Sequence, residues 1–93
     1  MTYYSNSNRH DIAHATNVIT NFKDKLDFYH SEKELNNISG TSRVDGAIIS
    51  PSGTILLETI TQNYSKEKIE SKRAYADRYS QNHEYVEYLE MRA

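Results

Sequence analysis

A turn segment between two runs of strand-forming residues constrains the fold of this chain more than any other feature. Ser50-Pro51-Ser52-Gly53 has proline and glycine where a tight turn requires them. Aliphatic and β-branched residues are concentrated in residues 43–49 before the turn and in residues 54–61 after it. Two such runs joined by four turn residues predict an antiparallel β-hairpin. Adjacent apolar residues in each run, Ile48-Ile49 and Leu56-Leu57, indicate that both faces of the hairpin are partly covered.

Segments with helical periodicity flank the hairpin. Apolar residues spaced three and four positions apart predict a helix over about residues 9–30. These residues are Ile12, Ala15, Ile19, Phe22, Leu26 and Tyr29. Similar spacing after Ser65, a suitable N-cap, predicts a second helix over about residues 65–91, either continuous or kinked near residues 80–82. The polar residues 1–8 are expected to be flexible.

The predicted architecture is one small α+β domain, residues 1–93, with the order helix, β-hairpin, helix. A chain of 93 residues is too short for a second independent core. Because an isolated two-stranded ribbon is marginally stable in water, we expect the helices to pack on it or a third strand to come from elsewhere. The sequence leaves open a homodimer in which two hairpins pair edge to edge.

The composition excludes several classes of function. With 11 basic and 13 acidic residues, the formal charge of −2 argues against a polybasic DNA-binding protein. The absence of cysteine excludes disulfides, thiolate catalysis and cysteine-based zinc sites. Apolar runs stay shorter than the roughly 18 residues of a membrane span, and the first residues lack a basic-then-apolar signal pattern. We therefore expect a cytoplasmic protein that does not enter a membrane.

Two acids, one in each predicted strand, form the most suggestive pair in the sequence. The segments Val44-Asp45-Gly46 and Leu56-Leu57-Glu58-Thr59-Ile60 resemble the metal-dependent nuclease family called PD-(D/E)XK. The resemblance implies that Asp45 and Glu58 hold a magnesium ion, and that a lysine two positions after the glutamate assists the attacking water. That position is Ile60, whose aliphatic side chain can neither orient water nor stabilise charge. A nuclease of this type, or a catalytically inactive relative, is therefore the alternative function; otherwise Glu58 faces solvent or an arginine.

The segment His10-Asp11-Ile12-Ala13-His14 places two imidazoles one helical turn apart. This spacing resembles the zinc-binding HExxH motif of the zincins, with aspartate in place of the glutamate that acts as base. Aspartate is one methylene too short for that role, and the spacing identifies no third ligand. We expect surface or capping histidines, no metal site and no cofactor.

The second predicted helix combines basic residues with tyrosines over residues 66–79, which permits contact with nucleic acid. Acidic residues within the same stretch are spaced to pair with the basic ones and support the helix instead. We predict a partner-binding surface that extends into the acidic end of the chain. Its residues are Lys68, Lys72, Arg73, Tyr75, Arg78, Glu84 and Tyr88.

The function predicted from these observations is that of a small non-enzymatic binding protein. The chain is short, begins Met1-Thr2-Tyr3-Tyr4-Ser5-Asn6-Ser7-Asn8 and ends in the acidic stretch Glu84-Tyr85-Val86-Glu87-Tyr88-Leu89-Glu90. In these respects it resembles the small phage-encoded inhibitor proteins, including the anti-CRISPR class. The resemblance implies an inhibitor that occupies a protein complex, with or without bound nucleic acid, such as a bacterial CRISPR-Cas defence effector. It would act by blocking access of nucleic acid.

Overall fold

A four-stranded mixed β-sheet forms the centre of the computed structural model, which describes residues 6–39 and 44–93. In chain order the elements are helix α1 (Asn6–Asn21), a 3-10 helix (Lys23–Phe28), strand β1 (Tyr29–Ser31), helix α2 (Glu32–Ser39), strand β2 (Gly46–Ser50), strand β3 (Gly53–Ile60), helix α3 (Lys66–Asn82) and strand β4 (Val86–Arg92). The predicted α+β class is confirmed. Of the segment expected to be flexible, residues 1–5 lie outside the described residues, and α1 begins within the remainder.

The predicted hairpin is confirmed as β2 and β3, which pair antiparallel with Ala47 opposite Leu56. Gly53 follows the turn with φ of +142°, a conformation that L side chains rarely adopt. A β-carbon at this position would lie 2.6 Å from the carbonyl oxygen of Tyr85, just before β4. Glycine is therefore required both by the backbone conformation and by the close approach of the neighbouring chain.

Two further strands complete the sheet, so the predicted helix–hairpin–helix arrangement is too simple. β1 pairs antiparallel with β2, and β4 pairs parallel with β3, which gives the strand order β1-β2-β3-β4. The parallel pairing requires a crossover connection, which α3 provides. Additional strands and packed helices therefore both stabilise the hairpin, which would be only marginally stable by itself.

The helix predicted over residues 9–30 is interrupted. α1 ends at Asn21, and Phe22 has φ of −130° and ψ of 36°, outside the helical region. The chain then passes through the 3-10 helix into β1, so Tyr29 lies in a strand and not in a helix. The strand is favoured here because it adds a ladder of backbone hydrogen bonds to the edge of β2.

The apolar stripe predicted for the first helix is not the face that α1 buries. Ile12 and Ile19 are 55% and 56% exposed, whereas His14 and Val18 are buried. Asn17 lies on the same side as the buried residues, and its side-chain amide donates a 3.0 Å hydrogen bond to the carbonyl oxygen of Arg92 in β4. Polar contacts with the sheet, which hydrophobic periodicity does not register, therefore contribute to the rotation of α1.

The helix predicted over residues 65–91 is wrong in its final third. Its start is confirmed, since the Ser65 hydroxyl accepts a 3.1 Å hydrogen bond from the backbone N–H of Lys68. The helix ends at Asn82, however, and the segment assigned to its last turns forms β4. In this arrangement Glu87 and Glu90 lie on a strand, so they do not oppose a helix dipole.

The sequence of β4 fits both the helical and the strand period, which explains why a helix was predicted there. Val86 and Leu89 are three residues apart and suit a helix, whereas Val86 and Tyr88 are two apart and suit a strand. Pairing with β3 along the whole length of β4 favours the strand. An ion pair across elements adds to it, because Arg73 of α3 donates two hydrogen bonds of 2.9 and 2.8 Å to the carboxylate of Glu90.

Apolar clusters cover both faces of the sheet, which confirms the expectation from adjacent apolar residues in the two hairpin strands. The cluster on the side of α2 and α3 has as buried members Leu35, Val44, Ala47, Leu56 and Ala76. The cluster on the side of α1 has as buried members Val18, Ile48, Leu57 and Met91. Because successive strand residues point to opposite faces, each adjacent apolar pair of β2 and β3 contributes one side chain to each cluster.

Candidate functional site

Asp45 and Glu58, the acids singled out from the sequence, meet at the end of the hairpin away from its turn. The backbone N–H of Asp45 donates to Glu58 Oε1 at 3.2 Å, and the backbone N–H of Thr59 donates to Asp45 Oδ2 at 2.8 Å. The strand backbones therefore hold both carboxylates in place. Glu58 is 0% exposed, so the alternative in which it faces solvent or an arginine is wrong.

Glu58 is a buried acid whose proton is unusually hard to remove. Burial raises the pKa of Glu58 to about 7, and the negative charge of Asp45 acts in the same direction. The Tyr64 hydroxyl, which donates a 2.6 Å hydrogen bond to Glu58 Oε2, acts against the increase, as does the ammonium group of Lys72. Two acids this close favour a bound cation, because positive charge relieves the repulsion between them.

His10 of α1 brings a nitrogen donor to the same acids. Its Nε2 lies 3.1 Å from Asp45 Oδ2, 2.9 Å from the carbonyl oxygen of Thr59 and 3.0 Å from the Tyr64 hydroxyl. One ligand atom each from His10, Asp45 and Glu58 lie within 4.8 Å of one another, a spacing that can accommodate one metal ion. The nuclease resemblance had implied a metal ion on Asp45 and Glu58, but no ligand role had been predicted for His10.

His14, one turn further along α1, has a structural role. It is buried, with Nδ1 2.9 Å from Thr59 Oγ1 and Nε2 2.9 Å from the Tyr29 hydroxyl. Burial lowers the pKa of His14, while the charge of Asp45 acts against this decrease. The expectation of a surface or capping histidine is therefore wrong for His14, whose neutral ring links α1 to β1 and β3.

Lys72 of α3 supplies an amine beside the acids. Its Nζ lies 3.7 Å from Glu58 Oε1, and its side chain is 17% exposed. The position where the nuclease resemblance requires a lysine is Ile60, which is buried. Within the described residues, the positive charge that Ile60 of β3 cannot supply therefore comes from Lys72 of α3.

One open cleft of about 460 Å³ lies at these groups, although Glu58 and His14 are themselves buried and do not line it. Its lining residues are His10, Asp11, Glu32, Asp45, Thr61, Asn63, Tyr64, Lys68 and Lys72. Lys68 lies at the margin with its Nζ 4.0 Å from the centre of the Tyr64 ring. The cleft thus combines acidic side chains with two lysines of α3, so it can attract a cation and an anionic group together.

The structure brings together only part of the partner-binding surface predicted from the sequence. Lys68 and Lys72 line the cleft, while Arg73 is paired with Glu90. Arg78 and Glu84 are exposed at and beyond the end of α3, away from these lysines along the chain.

The two tyrosines of that predicted surface pack inward. Tyr75 and Tyr88 lie against the apolar cluster on the α3 side of the sheet. The Tyr88 hydroxyl donates a 2.9 Å hydrogen bond to Glu90, and burial raises the pKa of Tyr88 above its ordinary value. These tyrosines stabilise the fold, which is the ordinary role of a tyrosine in a thin core.

The sequence points to the two acids but not to three of the groups around them. His10 belonged to a motif that was noticed, but its partner proved to be Asp45 and not a second histidine. Lys72 was assigned to an exposed surface, and Tyr64 carried no signal at all. His10 and Lys72 contact Asp45 and Glu58 from other elements of the fold, so local spacing could not have revealed these contacts. Tyr64 follows Glu58 by only six residues, but its contact depends on the turn between β3 and α3.

No protein-family model matches the chain, and no curated protein or solved structure matches it. None of the helices in the described ranges is long and apolar enough to cross a membrane.

The buried acid predicts an unusual dependence of stability on pH. Between the ordinary pKa of 4.5 and the raised value of about 7, folded Glu58 keeps a proton that the unfolded chain releases. The free energy of unfolding should therefore fall as pH rises through this window, by on the order of 2–3 kcal/mol. Glu58→Gln should remove this contribution, so that the variant gains in stability relative to the unmodified protein up to about pH 8.

Urea unfolding of both proteins at intervals from pH 4 to pH 8 tests this. The lowered pKa of His14 destabilises the folded protein as pH falls below its ordinary value of 6.5, the opposite sign, but this contribution is common to both proteins and largely cancels in their difference. A difference that stays constant across the range would contradict the raised pKa of Glu58.

Proposed function

We propose that this protein is a metal-dependent enzyme that hydrolyses phosphodiester bonds in nucleic acid. The observation that carries the proposal is that Asp45, His10 and Lys72 line one open cleft and lie within reach of the buried carboxylate of Glu58. Carboxylates on adjacent strands with a nearby amine are the set that the PD-(D/E)XK resemblance implies. The chemistry of the cleft supports both the metal-dependent reaction and nucleic acid as the class of substrate.

Asp45 and Glu58 would hold the divalent ion. Their positions are fixed by backbone N–H groups and by the Tyr64 hydroxyl, so little reorganisation is needed on binding. When bound, the ion would polarise a phosphoryl oxygen and lower the pKa of a bound water. The carboxylates would thus orient the reacting groups as well as compensate the charge of the ion.

Lys72 and Lys68 would bind the phosphate groups of the substrate. Lys72 is beside Glu58, so its ammonium group can donate to a phosphoryl oxygen and stabilise the charge that develops there. Lys68 lies further out along α3, where it can neutralise a neighbouring phosphate. Two lysines on one side of α3 can contact successive phosphates of a nucleic-acid strand, whereas a single small anion would contact only one of them.

Strand scission in the presence of metal tests the proposal. Purified protein incubated with supercoiled plasmid and Mg²⁺, Mn²⁺ or Co²⁺ should convert it to nicked and linear forms, and a chelator should stop the reaction. Asp45→Asn should lower the rate at least about 100-fold, since it removes one carboxylate ligand. Asp77→Asn on the exposed part of α3 is the matched control and should cleave at the unmodified rate. Folded protein that shows no scission with any ion, or equal scission by Asp45→Asn, would refute the enzyme.

The second candidate function is a non-enzymatic inhibitor that occupies a nucleic-acid-handling complex, such as a CRISPR-Cas effector. The observation that favours it is a group of large apolar side chains left exposed on α1 and on the 3-10 helix. These are Ile12, Ile19, Leu26 and Phe28. Ile19 and Leu26 both line a second cleft, and contiguous exposed apolar side chains are typical of surfaces that bind another protein. Inhibition of such a complex by Asp45→Asn at the unmodified level, without scission, would favour this function over the first.

A further inference from the structure

His10 adds a nitrogen to a cluster whose other donors are oxygens. Its Nε2 lies 3.1 Å from Asp45 Oδ2, and the ligand atoms of His10, Asp45 and Glu58 all lie within 4.8 Å of one another. Ligands about 2.1 Å from an octahedral ion are about 3.0 Å apart when adjacent and about 4.2 Å apart when opposite. The three side chains can therefore reach one ion with little movement.

The other ring nitrogen of His10 faces a carboxylate. Its Nδ1 lies 3.5 Å from Asp11 Oδ1. Metal-ligating histidines commonly donate this second N–H to a carboxylate, which fixes the tautomer whose other nitrogen has its lone pair available. The carbonyl oxygen of Thr59 lies 2.9 Å from Nε2 and can only accept, so in the ion-free protein Nε2 carries the proton. An ion bound at Nε2 would displace this proton, and the ring would then carry its proton on Nδ1, beside Asp11.

We propose that the cleft takes a transition-metal ion such as Co²⁺ or Zn²⁺ in preference to Mg²⁺, and that His10 determines this choice. Mg²⁺ prefers oxygen ligands and gives up its water reluctantly, whereas imidazole suits the later transition metals. The nuclease resemblance assigns no role to His10, so the preference is a property of this chain. The inference rests on the proposed function for its biological meaning, but ion binding can be measured without any reaction.

Calorimetric titration with Co²⁺ and with Mg²⁺ tests the proposal on the unmodified protein and on His10→Gln. The unmodified protein should bind Co²⁺ at least about tenfold more tightly than Mg²⁺, consistent with the order of divalent-ion affinities. His10→Gln should weaken Co²⁺ binding about tenfold or more and change Mg²⁺ binding less than about threefold, because glutamine offers an oxygen in place of the nitrogen. Thr16→Val, on the exposed side of α1, is the control and should bind both ions as the unmodified protein does.

Proton NMR of the unmodified protein with Co²⁺ gives a second measurement that needs no variant. A coordinated histidine whose Nδ1 carries the proton should give a strongly shifted, solvent-exchangeable imidazole N–H resonance. Absence of this resonance, or an unchanged ratio of Co²⁺ to Mg²⁺ affinity in folded His10→Gln, would overturn the inference.

The outcomes also separate this inference from the proposed function. Co²⁺ binding that depends on His10, without any strand scission, supports the ion preference and contradicts the enzyme. Scission that Mg²⁺ and Co²⁺ support equally, and that His10→Gln leaves unchanged, supports the enzyme and overturns the ion preference.

Discussion

Replacement of Lys72 by methionine is expected to lower metal-dependent strand scission by about 10²–10³-fold, the usual effect of removing one group that stabilises charge in a transition state. Methionine retains most of the length and the apolar stem of lysine, and it removes the ammonium group that lies 3.7 Å from Glu58 Oε1. The measurement is the initial rate of plasmid nicking at saturating metal. Lys66→Met, at the exposed start of α3, is the matched control and should retain the unmodified rate.

Ion binding distinguishes this role of Lys72 from a merely structural one. Because a positive charge near Glu58 competes with a bound cation, Lys72→Met should bind the ion as tightly as the unmodified protein or more tightly. Loss of scission together with retained ion binding supports a direct contact with the phosphate. If the rate falls only in proportion to a loss of ion binding, or does not fall, Lys72 does not have the proposed role.

Truncation of Leu57 to alanine should lower the free energy of unfolding by about 3 kcal/mol. Leu57 is 0% exposed in β3 and packs in the cluster with Val18, Ile48 and Met91, so the variant leaves a cavity that the sheet cannot easily close. A loss of this size is a large part of the 5–15 kcal/mol that holds a typical domain folded. Urea unfolding followed by far-UV circular dichroism measures it.

Leu89 provides a matched control for this prediction on the adjacent strand. It is the residue of β4 directly paired with Leu57, yet it is 39% exposed. Leu89→Ala should therefore cost at most about 1 kcal/mol, because the side chain gives up much less burial. Equal losses for the two variants would mean that the α1 side of the sheet is not the packed core that the structure describes.

The candidate site was only half predictable from the sequence. Asp45 immediately precedes β2 and Glu58 lies in β3, and the hairpin of these strands is specified by a local turn, so the proximity of the two acids follows from the turn itself. His10 and Lys72 reach the same point from α1 and α3. Their positions depend on how each helix is rotated against the sheet, and for α1 polar contacts contribute to that rotation where hydrophobic periodicity pointed to another face.

The sequence by itself determined the features whose causes lie within a few residues of each other: the β2–β3 hairpin, the start of α3 at Ser65 and the burial of both faces of the central strands. Only the tertiary structure decided that β4 is a strand, that β1 joins the sheet edge and that an amine from α3 stands beside Glu58. The physical reason is that turn and cap chemistry act over three or four residues, whereas strand pairing and charge clustering depend on which distant segments become neighbours. Where a segment such as Val86–Arg92 fits both the helical and the strand period, the strand pairing available in the folded chain decides which structure forms.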